Sequence, residues 1–374
     1  MYLILTFDIE SNMGEREITY DLPYVLDILS SFPEIKGTFN VAAYAVNISK
    51  NNIQRILDEG HEIAAHGYRH DMNWNVKSLD EQEKLIIKAK NLLESVLETK
   101  IVGWATPRGN EHHANVELLK KHGFLYVRDK SYTNYYQFIP PKIHPDGFVE
   151  LPRFGYDETT FMRRSPICKI LLNFFQIEKM PFCDIMKLYP DWTSDLIYEH
   201  LKNMYYYKKH IEGSYLITNL HPARIGENKE LEKAFVNFLE LISNDKGVEI
   251  LRAKDFAKRL VNREINITNT TLLNNITKAQ SKNENLRIIH RNLPELVLIF
   301  NSSMHSYSGK IAIDLNLSQL LILKLLKIIK KYDLICDWNR KKVKYNLDIT
   351  NRRVVLYLHL PPYSTTRLYI GGSK

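Results

Sequence analysis

The amino-acid sequence predicts an α/β protein, with a parallel sheet or barrel over residues 1–262 and a smaller β-rich, sandwich-like part over 263–374. Three observations carry this reading. Short β-branched and aromatic runs alternate with amphipathic stretches through the first part of the chain. Polar residues cluster where the apolar runs end. After residue 262 the texture shifts to Asn- and Thr-rich sequence with short alternating runs.

The elements follow in order. Residues 2–8 form an apolar run that reads as a buried strand. A helical stretch over 20–31 ends near Pro33, where proline disfavours continuation. Residues 37–41 predict a second strand, 49–59 a helix closed by Gly60, and 61–66 a third strand. Ser78 opens a long charged amphipathic helix over 78–97, with Glu81 placed for a capping box. Strands near 101–105 and 123–128 flank a helix over 112–121. A strand near 214–220, a helix over 229–243, a strand near 248–251 and a helix over 253–262 complete the first part. In the second part, 286–290, 296–300, 310–315, 354–360 and 366–370 read as strands. The lysine-bearing run 320–332 admits a packed helix, a membrane-surface or partner helix, or a strand pair.

Composition narrows the function classes. An apolar fraction of 44% is that of a folded chain. The three cysteines, Cys168, Cys183 and Cys336, have no paired-ligand spacing, so neither a disulfide framework nor a thiolate zinc site is expected. The N-terminus runs directly into a strand pattern without the features of a secretory signal, and no run is long enough to span a bilayer. A cytoplasmic location is the expectation. The net charge of +8 divides unevenly, with +11 from Arg263 onward and −3 before it. That basic surplus suits an anionic partner, including peripheral contact with a phospholipid surface, or simply a solvated face. No finger, RNP-like or P-loop pattern supports nucleic-acid binding.

Three segments carry candidate chemistry. Thr6-Phe7-Asp8-Ile9-Glu10 ends an apolar strand with two carboxylates, which share a face if the strand continues through Glu10. One carboxylate suits a metal ligand and the other a base. His66-Gly67-Tyr68-Arg69-His70 places two imidazoles at i and i+4, on one face if the turn is helical. With Glu10 they form a 2-His-1-carboxylate set suited to one divalent ion: zinc first, with cobalt, nickel or iron as alternatives. Asn219-Leu220-His221-Pro222 ends a later strand, where a histidine suits general acid work. All three fall at strand ends that would be C-terminal in a βα barrel, where function collects. His61, nearer the start of its strand, is given no role. Trp104 and Tyr68 are candidates for either a sugar-stacking cleft or the core.

Taken together these segments resemble the polysaccharide deacetylase family, also called the NodB homology domain or carbohydrate esterase family four. Asp-x-Glu with His-Gly-Tyr-x-His is similar to its peptidoglycan- and exopolysaccharide-type members. The resemblance covers roughly residues 1–260 and includes Gly37-Thr38-Phe39-Asn40-Val41 and Val149-Glu150-Leu151-Pro152. It implies a distorted (β/α)7 barrel in which Glu10, His66 and His70 hold the metal, Asp8 is the catalytic base and His221 the general acid. The implied reaction is hydrolysis of an N-acetyl or similar acyl group from an amino sugar, in a glycan or a lipid-linked saccharide.

One motif departs. Where the family carries an arginine that holds the catalytic aspartate, Gly103-Trp104-Ala105-Thr106-Pro107-Arg108 has Ala105. Arg108, Arg128 and Arg69 are the candidate substitutes, with Arg108 placed in the catalytic set. Asp129 matches the first residue of the family's fourth motif and is assigned a supporting catalytic role. Two rival readings remain. One is a deformylase or amidohydrolase acting on a small or lipid-linked amide. The other is a carbohydrate-binding relative with little catalytic power, favoured by Ala105.

Overall fold

The computed structural model describes residues 1–10, 15–70, 77–107, 115–128, 131–132, 139–154, 193–211, 213–265 and 267, and then 286–290, 295–301, 307–314, 332–336, 341–350, 353–360 and 364–372. The chain divides into two compact units. The first comprises Met1–Phe161, Thr193–Tyr198 and Lys208–Thr270, and the second comprises Met162–Trp192, Glu199–Tyr207 and Thr271–Lys374.

The first unit is an α/β fold built on parallel strands. The opening run is interrupted at Leu5 into β1 (Tyr2–Ile4) and β2 (Thr6–Ile9). Helix α1 (Leu22–Ser30) leads to β3 (Thr38–Val41), α2 (Lys50–Asp58) to β4 (Glu62–Ala65), α3 (Leu79–Leu97) to β5 (Gly103–Ala105) and α4 (Val116–Lys121) to β6 (Tyr126–Arg128). Strands β2 to β6 pair in sequence order, all parallel, and β6 continues to the strand Val149–Glu150. The strand Arg153–Phe154 runs beside Tyr215–Ile217, which pairs parallel with β1. A bridge between Phe7 and Leu220 extends that contact to β2. Seven staves thus follow one another around a distorted barrel.

Local sequence explains the helix starts. Ser78 accepts from the Glu81 N–H while the Glu81 carboxylate takes the Ser78 N–H, a reciprocal cap that fixes the first turn of α3. Ser49, Asn115 and Asn228 cap α2, α4 and the helix Lys229–Ser243 in the simpler way. Two helices begin with a proline at a position where its missing N–H costs nothing: α1, with Pro23, and Pro222–Glu227. Helix Ser194–Lys209 and the short helix Pro222–Glu227 are absent from the sequence reading. The expected helix over 112–121 begins at Val116, and 108–114 lie outside the described residues.

Strand alternation sorts the side chains into two environments. Outward residues of β2 and β3 are apolar: Phe7 stacks on Phe39 at 4.6 Å and meets Phe235 of the helix Lys229–Ser243 edge-on at 6.0 Å. Each such buried side chain contributes about 1.5–3 kcal/mol relative to exposure. Trp104 also points outward, fully buried against Phe124, with its Nε1 donating to Thr106 Oγ1 at 3.1 Å. Of the two roles open to it, Trp104 therefore takes the core.

Inward residues form layers. The lowest holds Thr6, Thr38 and Glu62 in one register row, with Gly103 paired to Tyr126 in another. Buried Glu62 accepts from Tyr126 Oη at 2.9 Å, from Thr38 Oγ1 at 2.8 Å and from the Lys254 N–H at 2.9 Å. Thr38 Oγ1 in turn accepts from the Ala253 N–H at 2.8 Å. The helix Ala253–Val261 has no side-chain cap of its own, so its first N–H groups are satisfied by β3 and β4. Gly103 makes the tyrosine's position attainable, since a Cβ there would sit 2.2 Å from Tyr126 Oη.

In the second unit, the described residues form two antiparallel sheets. One orders five strands as Leu286–His290, Glu295–Asn301, Ser364–Gly372, Tyr332–Cys336 and Lys341–Lys342. The other orders three, as Tyr307–Asp314, Arg353–Leu360 and Tyr345–Asp348. Burial alternates along Arg353–Leu360, as expected of a strand with one covered face. The run 320–332 falls almost wholly outside the described residues, and Tyr332 opens a strand. The strands Tyr332–Cys336, Lys341–Lys342 and Tyr345–Asp348 were not expected from sequence. No described helix is long and apolar enough to cross a membrane.

Two outcomes test this account. Gly103→Ala and Glu62→Ala each detach Tyr126 from the lowest layer and lower stability by about 2–3 kcal/mol in urea unfolding. Buried His61, which accepts the Gly37 N–H, has its pKa pushed down to about 4 by burial, with Lys36 and Arg252 adding to it. Between its ordinary value near 6.5 and about 4 the unfolded chain holds the extra proton, so stability falls as pH falls through that window. His61→Asn makes the slope between pH 6.5 and 4.5 shallower by about 1.4 kcal/mol per pH unit.

Candidate metal centre and its carboxylate neighbour

The second inward layer holds Asp8, Asn40 and Ala64 in one register row, with Ala105 paired to Arg128 in another. Asp8 Oδ1 accepts from Asn40 Nδ2 at 2.7 Å and from Arg128 Nη2 at 2.7 Å. The same Nη2 lies 2.9 Å from Asp8 Oδ2. Arg128 Nη1 donates to Asn219 Oδ1 at 2.6 Å. All four side chains are buried. Burial alone would raise the Asp8 carboxyl, but Arg128, with His66, His221 and Arg153, holds it well below the usual carboxylate range.

Above this layer lie Glu10, His66 and His70. Strand β2 ends at Ile9, so Glu10 stands one residue past it. Its N–H donates to Glu17 Oε1 at 3.0 Å, which fixes the chain as it leaves the barrel. Glu10 therefore faces the pocket without the strand continuation that the sequence reading required. The segment after β4 is likewise not helical. Gly67 turns it with φ +73°, a conformation that favours glycine, and a Cβ there would meet Pro107 at 2.9 Å. This turn, rather than helical spacing, brings the His66 and His70 rings to 5.3 Å.

Ligand atoms of Glu10, His66 and His70 lie within 4.8 Å of one another. His70 Nε2 is 2.9 Å from Glu10 Oε1, and His221 Nε2 is 3.3 Å from the same oxygen. His66 Nδ1 donates to the Ala105 carbonyl at 2.8 Å, which leaves Nε2 as the lone-pair nitrogen. That Nε2 is buried, has no hydrogen-bond partner among the described residues and lies 3.9 Å from Asp8 Oδ2. Burial pushes the His66 pKa down to about 4, so the ring is neutral at pH 7. Burial would raise the Glu10 carboxyl, yet His221 and His70 hold it well below its ordinary value. A buried neutral imidazole with an unpartnered lone pair, a second imidazole and an ionised carboxylate are the donor set a divalent cation takes.

His221 stands at the junction of the strand Tyr215–Ile217 and the helix Pro222–Glu227, where it is the N-terminal boundary residue. Arg108 and Asp129 lie outside the described residues. Arg69 is exposed with its guanidinium 3.7 Å above the Tyr44 ring, so it does not serve Asp8. Tyr68 is half-buried, edge-on to Tyr44, with Lys88 Nζ 3.8 Å from its ring. Asn40, Asn219 and Glu17 had no role in the sequence reading. The signal for Asn40 was its phase, since it shares the inward side of β3 with Thr38 in an otherwise apolar strand.

Residues 2–127 match the polysaccharide deacetylase family. Over 118 residues the chain is 25% identical to a peptidoglycan deacetylase of Helicobacter pylori, covering 31% of this chain and 40% of that protein. Over 167 residues it is 31% identical to a peptidoglycan deacetylase-like protein of Gibberella zeae, covering 42% and 46% respectively. The chain thus matches less than half the length of either curated relative. Among solved structures, a protein of Mycobacterium smegmatis assigned as a polysaccharide deacetylase superposes with a TM-score of 0.53 at 18% identity, covering 72% of this chain and 93% of that one. This last likeness establishes the fold.

The centre gives a direct prediction. His66→Ala and His70→Ala each weaken zinc or cobalt binding by more than the roughly 10–100-fold typical of losing a supporting residue. Gly67→Ala touches no ligand atom, yet it weakens binding too, because it strains the turn that aims His70. A competition titration against a chelator measures all three.

Proposed function

We propose that the protein is a metal-dependent hydrolase that removes an N-acetyl or similar acyl group from an amino sugar, in the manner of the peptidoglycan-type deacetylases. The observation that carries this reading is the Glu10–His66–His70 cluster with an arginine-held carboxylate, Asp8, beside it. Glu10, His66 and His70 hold one divalent ion, zinc being the first choice for two imidazoles and a carboxylate. Such an ion supplies Lewis acidity, which polarises an acyl carbonyl and acidifies a water molecule.

The chain's own groups supply the rest. Asp8 is the base, and the proton goes to Oδ2, the oxygen on the His66 side, because Oδ1 is engaged by Asn40. Asp8 is kept ionised, ready to accept, by the positive charge around it. His221, facing the same pocket through its contact with Glu10, donates a proton to the departing amine. The substrate is an amino-sugar glycan or a lipid-linked saccharide. Against the weakly catalytic binding reading that Ala105 favours stands the Arg128 guanidinium beside Asp8.

The test is acetate release from acetylated amino-sugar oligomers and lipid-linked sugars by protein stripped and reloaded with zinc or cobalt. Asp8→Asn retains its metal and loses about 10²–10⁴-fold in kcat. Absence of turnover across the panel in metal-loaded protein would exclude the deacetylase reading.

A further inference from the structure

We propose that Arg128 is the positioning residue for the base, an arginine supplied from β6 in place of one from β5. The inference rests on Asp8 being the base. Its ground is register. Ala105 of β5 and Arg128 of β6 are Cα partners in the parallel ladder, and both lie on the inward side. A side chain on either strand at this register position faces the same layer. Here β5 contributes a methyl group and a carbonyl: the methyl leaves room, and the carbonyl accepts from His66 Nδ1. The adjacent strand contributes the guanidinium.

Two further features make the placement functional rather than incidental. Ala64, on the Asp8–Asn40 register row, is also small and adds no polar group to compete for the guanidinium. And the guanidinium uses both of its arms. Nη2 spans the two Asp8 oxygens, while Nη1 reaches Asn219, two residues before His221. One planar group therefore sets the carboxylate of the base and also tethers the segment that bears His221. A lysine, with a single ammonium, cannot hold both.

The experiment compares Arg128→Ala, Arg128→Lys and the relocation variant Arg128→Ala/Ala105→Arg with the parent. Metal content and melting temperature are measured throughout. Two readouts are used. The first is the side-chain amide resonance of Asn40, whose Nδ2 donates to Asp8 Oδ1; it is assigned by its loss in Asn40→Ala and reports where the Asp8 carboxylate points, with no substrate present. The second is the division of any rate loss between kcat and KM.

The expected result is a displaced Asn40 resonance in Arg128→Ala and a kcat lower by about 10²-fold at KM within threefold and full metal content. Arg128→Lys recovers little, and relocation returns the resonance towards the parent position with at least 10-fold of the lost kcat. An Asn40 resonance unmoved in Arg128→Ala, or a kcat within twofold of the parent, overturns the proposal. So does a rate loss that follows lost metal or lost folding alone. Should Arg128→Ala not fold, recovery of fold and resonance by relocation supports the proposal, and failure of relocation overturns it. If the parent releases no acetate from any substrate, the deacetylase reading fails, while the Asn40 resonance still decides the positioning role of Arg128.

Discussion

The site depends on one buried charge pair. A carboxylate inside a barrel loses several kcal/mol of hydration and would neutralise itself if left alone. Asp8 remains an anion because a guanidinium meets both of its oxygens and an amide holds one of them. The arrangement above it follows. An ionised Asp8 sits beside a neutral His66 whose other nitrogen is tied to a backbone carbonyl, so the two groups face one pocket without exchanging a proton. Removing either partner of a buried pair is far more damaging than the pair is stabilising. The small residues around it, Ala64 and Ala105, are therefore as much a part of the site as the charged ones.

The barrel separates two kinds of polar network by height. The lower layer, around Glu62, closes the structure: its three donors come from β3, β6 and the helix Ala253–Val261. The upper layers, around Asp8 and Glu10, leave the buried His66 Nε2 without a hydrogen-bond partner among the described residues. Both are read from the same period-two alternation, and they differ by the number of satisfied groups. The lower carboxylate is saturated by donors, whereas the upper site holds donors and acceptors without a partner of their own.

Much of this was legible in the sequence. Asp8, Glu10, His66, His70 and His221 announce themselves because polar side chains at the ends of apolar runs have few structural uses. The strands and helices of the first unit were legible from period and caps, with Ser78–Glu81 the clearest signal. What the sequence withheld depends on pairing. Arg128 was one of three candidate arginines in the sequence, and only the pairing of β6 with β5 opposite Ala105 singles it out. Asn40 and Asn219 acquire meaning the same way. The histidines meet through a left-handed turn at Gly67 and not through the helical turn that i, i+4 spacing would have needed. Arg108 and Asp129, assigned from motif position, lie outside the described residues, while the charge expected near Asp8 comes from elsewhere. In the second unit, β-rich character was plain, yet the short strands around Tyr332–Asp348 were hidden by lysine-rich, weakly alternating sequence.

The placing of β1 has a consequence for how the chain comes to be. Its hydrogen-bonding neighbours are Tyr215–Ile217 on one side and Glu249–Ile250 on the other, the last strands of the unit to be made. A ribosome adding about 5–20 residues per second takes roughly 10–50 s to reach them. Throughout that interval β1, an apolar segment, has neither partner. The barrel is therefore a late, long-range closure in which early and late chain must meet, a topology that folds slowly and exposes an edge while it waits.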